Sequence, residues 1–319
     1  MSDYWTRRNE TKAQIEANFK TDAQYNRELN RIYSRAQREI QKEIQAELSN
    51  FARREQISMA EAQRLIDRAD VIDFKEKASE YIDERGLSPE AQRQMRANSV
   101  NMRTSRLELL KSTINVELIA MADGENKLLT QRLMQDAVEE YTRQAGILGK
   151  TVPRNLDRIA REIVTADYKG TTFSNRIWSN QRKLRNEIEN TLEGVLIRGQ
   201  HPYKAGRALQ GLVREEFMGK TGSGGARYVA QRLAVTESAR TQTSVFKASM
   251  EEYDIEKAEW IAEPTACPIC AEQDGKIFDV KGIHVDSDLT IPAHNWCRCA
   301  FSAYVDRAAW DADLTRRGL

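Results

Sequence analysis

The chain has 319 residues, with 49 Lys+Arg against 48 Asp+Glu and a formal charge of +1. That balance excludes a strong global attraction to nucleic acid or to an anionic membrane. Charged residues make up 30%, hydrophobic residues 40%, and only 6 residues are proline, which suits long solvated helices better than a compact all-β domain. The length is enough for a sizeable core in two or three units. The opening MSDYWTRRNETK lacks the apolar stretch of a secretory signal, and nowhere do apolar residues run long enough for a spanning helix. A reducing compartment is therefore the expected setting.

From about Thr21 to Arg54, the residues Leu29, Ile32, Tyr33, Ala36, Ile40, Ile44, Leu48 and Phe51 recur every three or four positions and predict a long amphipathic helix. SMAE at 58–61 reads as a capping box, and Asp73 with Glu76 repeats it. In RGLSPE, Gly86 is a helix stop, Ser88 an N-cap and Pro89 the first helical residue. Leu107, Leu110, Ile114, Leu118, Ile119 and Met121 form the next stripe, which DGEN at 123–126 is expected to break as a turn. Leu129, Leu133, Val138 and Tyr141 carry a separate helix up to the punctuation of Gly149 and Pro153. Further helices are expected from Leu156 to about Tyr168, from Ile177 to Leu196, and from near Tyr203. No stripe keeps a strict heptad, so these are packed helices and not one continuous coiled coil.

GKTGSGGARY at 219–228 reads as a flexible loop. Its GKT is not a phosphate loop, because that motif needs a glycine where Arg214 stands. Residues 229–255 are helical by pattern. Short strands follow at 257–263, 275–280 and 299–305, with EQDG at 272–275 as a turn. The expected class is mainly α, with a long helical region followed by a small C-terminal α+β module.

All four cysteines fall in that last module. Cys267 and Cys270 have the knuckle spacing that lets two thiolates reach one tetrahedral ion at about 2.3 Å. His294, Cys297 and Cys299 supply three more donors, and four of the five fill the shell. An extended 297–299 segment is read as sending Cys297 and Cys299 to opposite faces, which would leave one of them out. Spacing alone does not say which. Zinc is the expected ion, because thiolate and imidazole suit it and no redox role is needed. Its role would be structural, since a small sheet with few large apolar residues needs a staple.

Three other readings compete: unliganded core thiols, disulfides, and a redox CPIC that lacks its βαβ context. There is no HExxH. The other histidines are His201, in a turn leading into a helix, and His284, in a solvated loop, so a catalytic zinc is not expected. The enzymatic rival is a zinc-bearing HNH-type nuclease, or more broadly a DNA-binding knuckle. Against it, the second knuckle is CxC and no further ligand histidine follows. Arg182, Lys183 and Arg185 form a local patch that reads either as phosphate contacts or as solvated helix charge.

RLAVTESART at 232–241, EWIAEPTACPICAEQDGKIF at 259–278 and IPAHNWCRCAF at 291–301 together resemble the phage head morphogenesis domain of Mu F-like minor capsid proteins. That pattern runs Arg-x-x-x-Thr-Glu-x-x-Arg on a helix, then Trp, C-x-x-C, DGK and HPxCRC. Residues 177–209 are similar to the family's helical part, and the resemblance covers residues 150–305 approximately. The chain departs from it at Asn295–Trp296, where the family usually has Pro-x.

The resemblance implies a structural virion protein without catalysis, made beside the portal and packaged in a few copies inside the procapsid. Its implied partners are the portal protein and the scaffold or major capsid protein, with contact to packaged DNA and a role in genome delivery as further expectations. Its implied location is the capsid interior, after assembly in the host cytoplasm. On this basis the chain divides into a helical region 1–150, the helical part of the morphogenesis domain 151–218, a flexible loop 219–228, the Cys/His module 229–305 and a tail 306–319. The helical region is expected to carry docking, with the loop leaving the two parts free to move. Thr236, Glu237 and Arg240 share one helix turn. Glu237 and Arg240, at i and i+3, read either as a docking feature or as an exposed ion pair of little worth.

Overall fold

The computed structural model describes residues 4–53, 86–100, 106–196, 225–287 and 290–304. Helix dominates these residues and a small sheet ends the described part, the expected mainly α class. The helices are α1 (Tyr4–Arg53), α2 (Pro89–Val100), α3 (Arg106–Leu148), α4 (Leu156–Thr165), α5 (Phe173–Leu196) and α6 (Ala226–Glu252). β1 (Lys257–Ile261), the single turn α7 (Pro268–Ala271), β2 (Ile277–Asp279) and β3 (Ala300–Tyr304) follow. The expected caps at 58–61 and 73–76, the helix near Tyr203, His201 and linker residues 219–224 lie outside the described residues. Residues 226–228, expected in the loop, form the first turn of α6. No described helix is long and apolar enough to cross a membrane.

α1 begins well before Thr21, where the apolar stripe was expected to start. Its first turns bury a face that is polar: Arg7, Thr11 and Asn18 join Ile15 at helical spacing. Arg7 Nε donates to the Ala303 carbonyl at 3.2 Å, and Arg8 pairs with Glu259 and, at 3.0 Å, with Asp274. Asn18 and Gln242 exchange side-chain amide hydrogen bonds, each of 3.0 Å. Hydrophobic periodicity has nothing to register on such a face.

The expected break at DGEN is absent, and α3 runs straight through it. Asp123 and Glu125 are buried. Asp123 pairs with Lys127 one turn on, at 2.8 Å, and accepts the Ser88 N–H. Glu125 accepts the Tyr33 hydroxyl at 2.7 Å. A Cβ at Gly124 would stand 3.4 Å from Ile32 Cγ2. Asp123, Gly124 and Glu125 serve helix packing, so the turn-forming composition misled. At the start of α2 the expectation and the structure agree: Pro89 is the first helical residue, and Ser88 Oγ accepts the Ala91 N–H at 3.3 Å. Gly86 has φ +52°, and the helix it was expected to stop lies outside the described residues.

The chain gathers into two units, each drawn from separated segments. One comprises residues 1–26, 129–173 and 231–319; the other comprises 27–128 and 174–230. In the second, Leu29, Tyr33, Ile40, Ile114, Leu118, Ile188 and Leu192 are buried, and Gln181 donates to Asn115 at 3.1 Å. In the first, the strand order is β2-β1-β3, antiparallel throughout, with Trp260 opposite Phe301 and Ala258 opposite Phe278. Phe301 meets Trp260 edge-on at 5.4 Å and stacks on Phe246 of α6 at 5.8 Å. That aromatic cluster seats the sheet on α6 and fixes where the cysteine loops emerge.

Candidate metal centre

The chain leaves β1 at Ile261 and reaches Cys267 just before α7. Pro268 fixes the first residue of that turn. Backbone N–H groups then aim back at the sulfur: that of Cys270, seconded by Ile269, holds the Cys267 thiol below its ordinary range. The second half arrives through a tight turn in which the Cys297 N–H donates to the His294 carbonyl at 3.3 Å, and β3 begins at Ala300.

His294 Nε2 lies 3.3 Å from Cys267 Sγ and 3.2 Å from Cys270 Sγ. Cys270 Sγ and Cys297 Sγ are 3.9 Å apart. A tetrahedral shell with ligands at about 2.1–2.3 Å has edges of roughly 3.5–3.8 Å, so these separations suit one ion. The five donors form two overlapping triads, Cys267–Cys270–His294 and Cys270–Cys297–Cys299, with Cys270 common to both. Cys270, Cys297 and Cys299 are buried, and all four cysteines are free thiols. This cluster can hold a metal ion. It does not support the disulfide reading, since a bonded pair sits near 2.05 Å.

The expectation that Cys297 and Cys299 face opposite ways fails. Residues two apart in extended chain share a face, and the residue that turns away is the one between them. Arg298 is 2% exposed and forks onto the Asp22 carboxylate, its Nε at 2.8 Å from Oδ2. It also donates to Ser238 Oγ at 3.1 Å. Asp22 is shared with Arg132 at 2.8 Å, and Ser238 donates to Asp136 at 2.5 Å. Two arginines and two aspartates thus compensate one another beneath the CxC segment.

The thiols cannot all ionise together in a buried site. Hydrogen bonds from Cys270 and Cys299 push Cys297 down to about 2, and the same contacts push Cys270 and Cys299 up. Packing three sulfurs this closely opposes their joint ionisation, and a cation between them would relieve it. His294 Nδ1 lies 2.7 Å from its neighbour's carbonyl, that of Asn295. The donating Nδ1–H leaves the Nε2 lone pair facing the sulfurs, the tautomer a ligand needs. Burial works against the imidazolium, yet the Asn295 carbonyl and the thiolates of Cys297 and Cys267 outweigh it and raise the His294 pKa.

α6 supports the loop from below. Thr236 Oγ1 accepts the Trp296 N–H at 3.4 Å, at a residue with φ +69°. That is an uncommon backbone conformation for an aromatic residue. One position on, Glu237 and Arg240 are each 1% exposed, which corrects the exposed-pair expectation. Arg240 Nε donates to Glu237 at 2.7 Å, and its two terminal nitrogens donate to the Ile163 and Val164 carbonyls at 3.0 and 3.3 Å. Those carbonyls end α4; the Ala166 N–H also reaches the Ile163 carbonyl, at 3.3 Å, and Arg240 adds its donors to both. The pair docks on its own chain.

His284 is exposed in its loop, as expected. Sequence reasoning missed Asp22, Arg132, Asp136 and Ser238. The one available clue was an arginine trapped between two cysteines, which must find a counter-charge if the sulfurs are buried. No protein-family model matches the chain, and no curated protein or solved structure matches it either.

Proposed function

We propose that the protein is a structural component of a phage head, a minor capsid protein whose Cys/His cluster binds zinc as a staple and performs no catalysis. The observation that supports this reading is a convergence: the separate pieces of the resemblance build one substructure. Thr236 of the helical motif holds the loop of the second knuckle, and Arg240 caps α4. The Trp260 N–H bonds the Lys276 carbonyl of DGK at 3.0 Å, and the Gly275 N–H returns to Trp260 at 2.8 Å. Asp274 accepts the Ala262 N–H at 2.9 Å on the way to Cys267. Such a motif behaves as a folding signature, which suits a protein that others assemble on.

The proposed partners are portal and scaffold or major capsid protein, bound through the helical region. Purified protein is expected to carry about one zinc per chain and to co-purify with the portal protein of the same phage. Metal-free native protein with freely titratable thiols overturns the zinc assignment. Failure to enter procapsids overturns the capsid assignment. Zinc-dependent plasmid cleavage, abolished by His294→Ala in a folded variant, replaces the reading with a nuclease.

A further inference from the structure

Between residues 27 and 42, α1 presents two opposed faces. Leu29, Tyr33, Ala36 and Ile40 are buried. Arg27, Arg31, Arg35, Arg38 and Lys42 are exposed. With about 100° of rotation per residue, those five occupy an arc of about 80° pointing away from the buried side. Every position of 27–42 that falls in this arc is Arg or Lys. The strip runs along about 22 Å of helix, with neighbouring charges about 5–6 Å apart. Glu28, Glu39 and Glu43 sit beside it, not in it; Glu28 pairs with Arg31 across the exposed surface, a contact that yields readily to a better anion.

Solvated helix faces ordinarily interleave both signs, so sorting by sign is the informative feature. The strip contains no apolar side chain, which gives a bilayer nothing to bury and a protein interface no core. Four of its five cations are arginine, whose planar fork matches phosphate oxygens. Duplex DNA carries a negative charge about every 1.7 Å of axis, so a strip of this length meets several phosphates. The near-zero net charge of the chain does not oppose this, because screening beyond about 8–10 Å leaves the local field in control. By contrast, on α5 Arg185 is engaged by Glu189 at 2.9 Å and exposed Glu187 adds a further acid.

We propose that this strip of α1 binds the phosphate backbone of duplex nucleic acid without regard to sequence. The inference stands on the charge pattern alone and needs no capsid assignment. Its test is the full-length protein titrated with a fluorescent random-sequence duplex over a range of salt. Five phosphate contacts predict a log–log salt slope near about −4.5, hence roughly 500-fold weaker binding at about 200 mM than at 50 mM salt. The triple variant Arg31→Gln, Arg35→Gln, Arg38→Gln is expected to fold normally and to flatten the slope by about 0.9 per cation removed. Lys183→Gln serves as the control and is expected to bind as the parent does. No binding by the parent, or an unchanged slope in the triple variant, overturns the proposal. So does polyglutamate competing as well as duplex at equal charge, which would make the strip a site for an acidic polypeptide. Since no phage component is present, either failure leaves the capsid reading untouched.

Discussion

Glu125 shows what a single buried carboxyl does to the pH dependence of the fold. Burial pushes it up to about 7, and the Tyr33 hydroxyl offsets only part of that. The folded chain therefore keeps a proton that the unfolded chain releases near 4.5. The associated stability is fully present below that value, declines as pH rises, and is gone above about 7. A shift of this size corresponds to roughly 3 kcal/mol. Glu125→Gln keeps an acceptor for Tyr33 and removes the proton, so the variant is expected to be more stable than the parent at pH 8, with a flatter profile below it. Urea denaturation at several pH values checks this, and an unchanged pH slope counts against it. Arg240 offers a second test. Arg240→Ala leaves a buried Glu237 carboxylate and the Val164 carbonyl without the donors Arg240 supplies, so a loss of about 3–5 kcal/mol is expected. Removing Glu237 as well should recover part of it. A loss below about 1 kcal/mol would mean that the pair behaves as an exposed one.

At the scale of elements, legibility followed the chemistry of the buried face. α5 and the later part of α1 were readable because Leu, Ile, Tyr and Ala mark their inward side. The first turns of α1 were not, because Arg7, Thr11 and Asn18 fill that side, and Arg7 and Asn18 are satisfied by partners hundreds of residues away. DGEN failed for the complementary reason: residues typical of turns are also those that let two helices approach and exchange hydrogen bonds. A substitution separates the two roles. In a solvated turn, Gly124→Leu would be nearly neutral. In a continuous α3 it gains about 1 kcal/mol of helix propensity but drives a side chain into Ile32, for a net loss of about 1–3 kcal/mol expected in thermal or urea unfolding. The five metal-site donors were legible because knuckle spacing is local. The period of two in extended chain already puts Cys297 and Cys299 on one face, so the opposite-face expectation misapplied the alternation. What was not legible is that Arg298, turned the other way, finds Asp22.

The unit that contains the Cys/His cluster also draws in residues 1–26 and 129–173, so it is not the product of one contiguous stretch. Within it, Arg298 lies against Asp22 from α1, and the charges are completed by Arg132 and Asp136 from α3. Arg7 and Arg8 reach the sheet from the same first turns of α1, while Arg240 needs the end of α4. A fragment of residues 226–319 keeps all five metal donors but loses every one of those partners. It is therefore expected to bind zinc through its knuckles without acquiring a cooperative fold, because a metal closes loops but cannot replace the counter-charges of a buried arginine. Calorimetry of the zinc-loaded fragment should show no sharp transition, whereas the full chain should show one that chelation lowers. Adding back a peptide of residues 1–26 alone should not restore it, since Arg132 and Asp136 would still be missing. A fragment that melts sharply with zinc and gives a dispersed amide spectrum would show the opposite: that the cluster is self-sufficient and the charge network beneath it is dispensable.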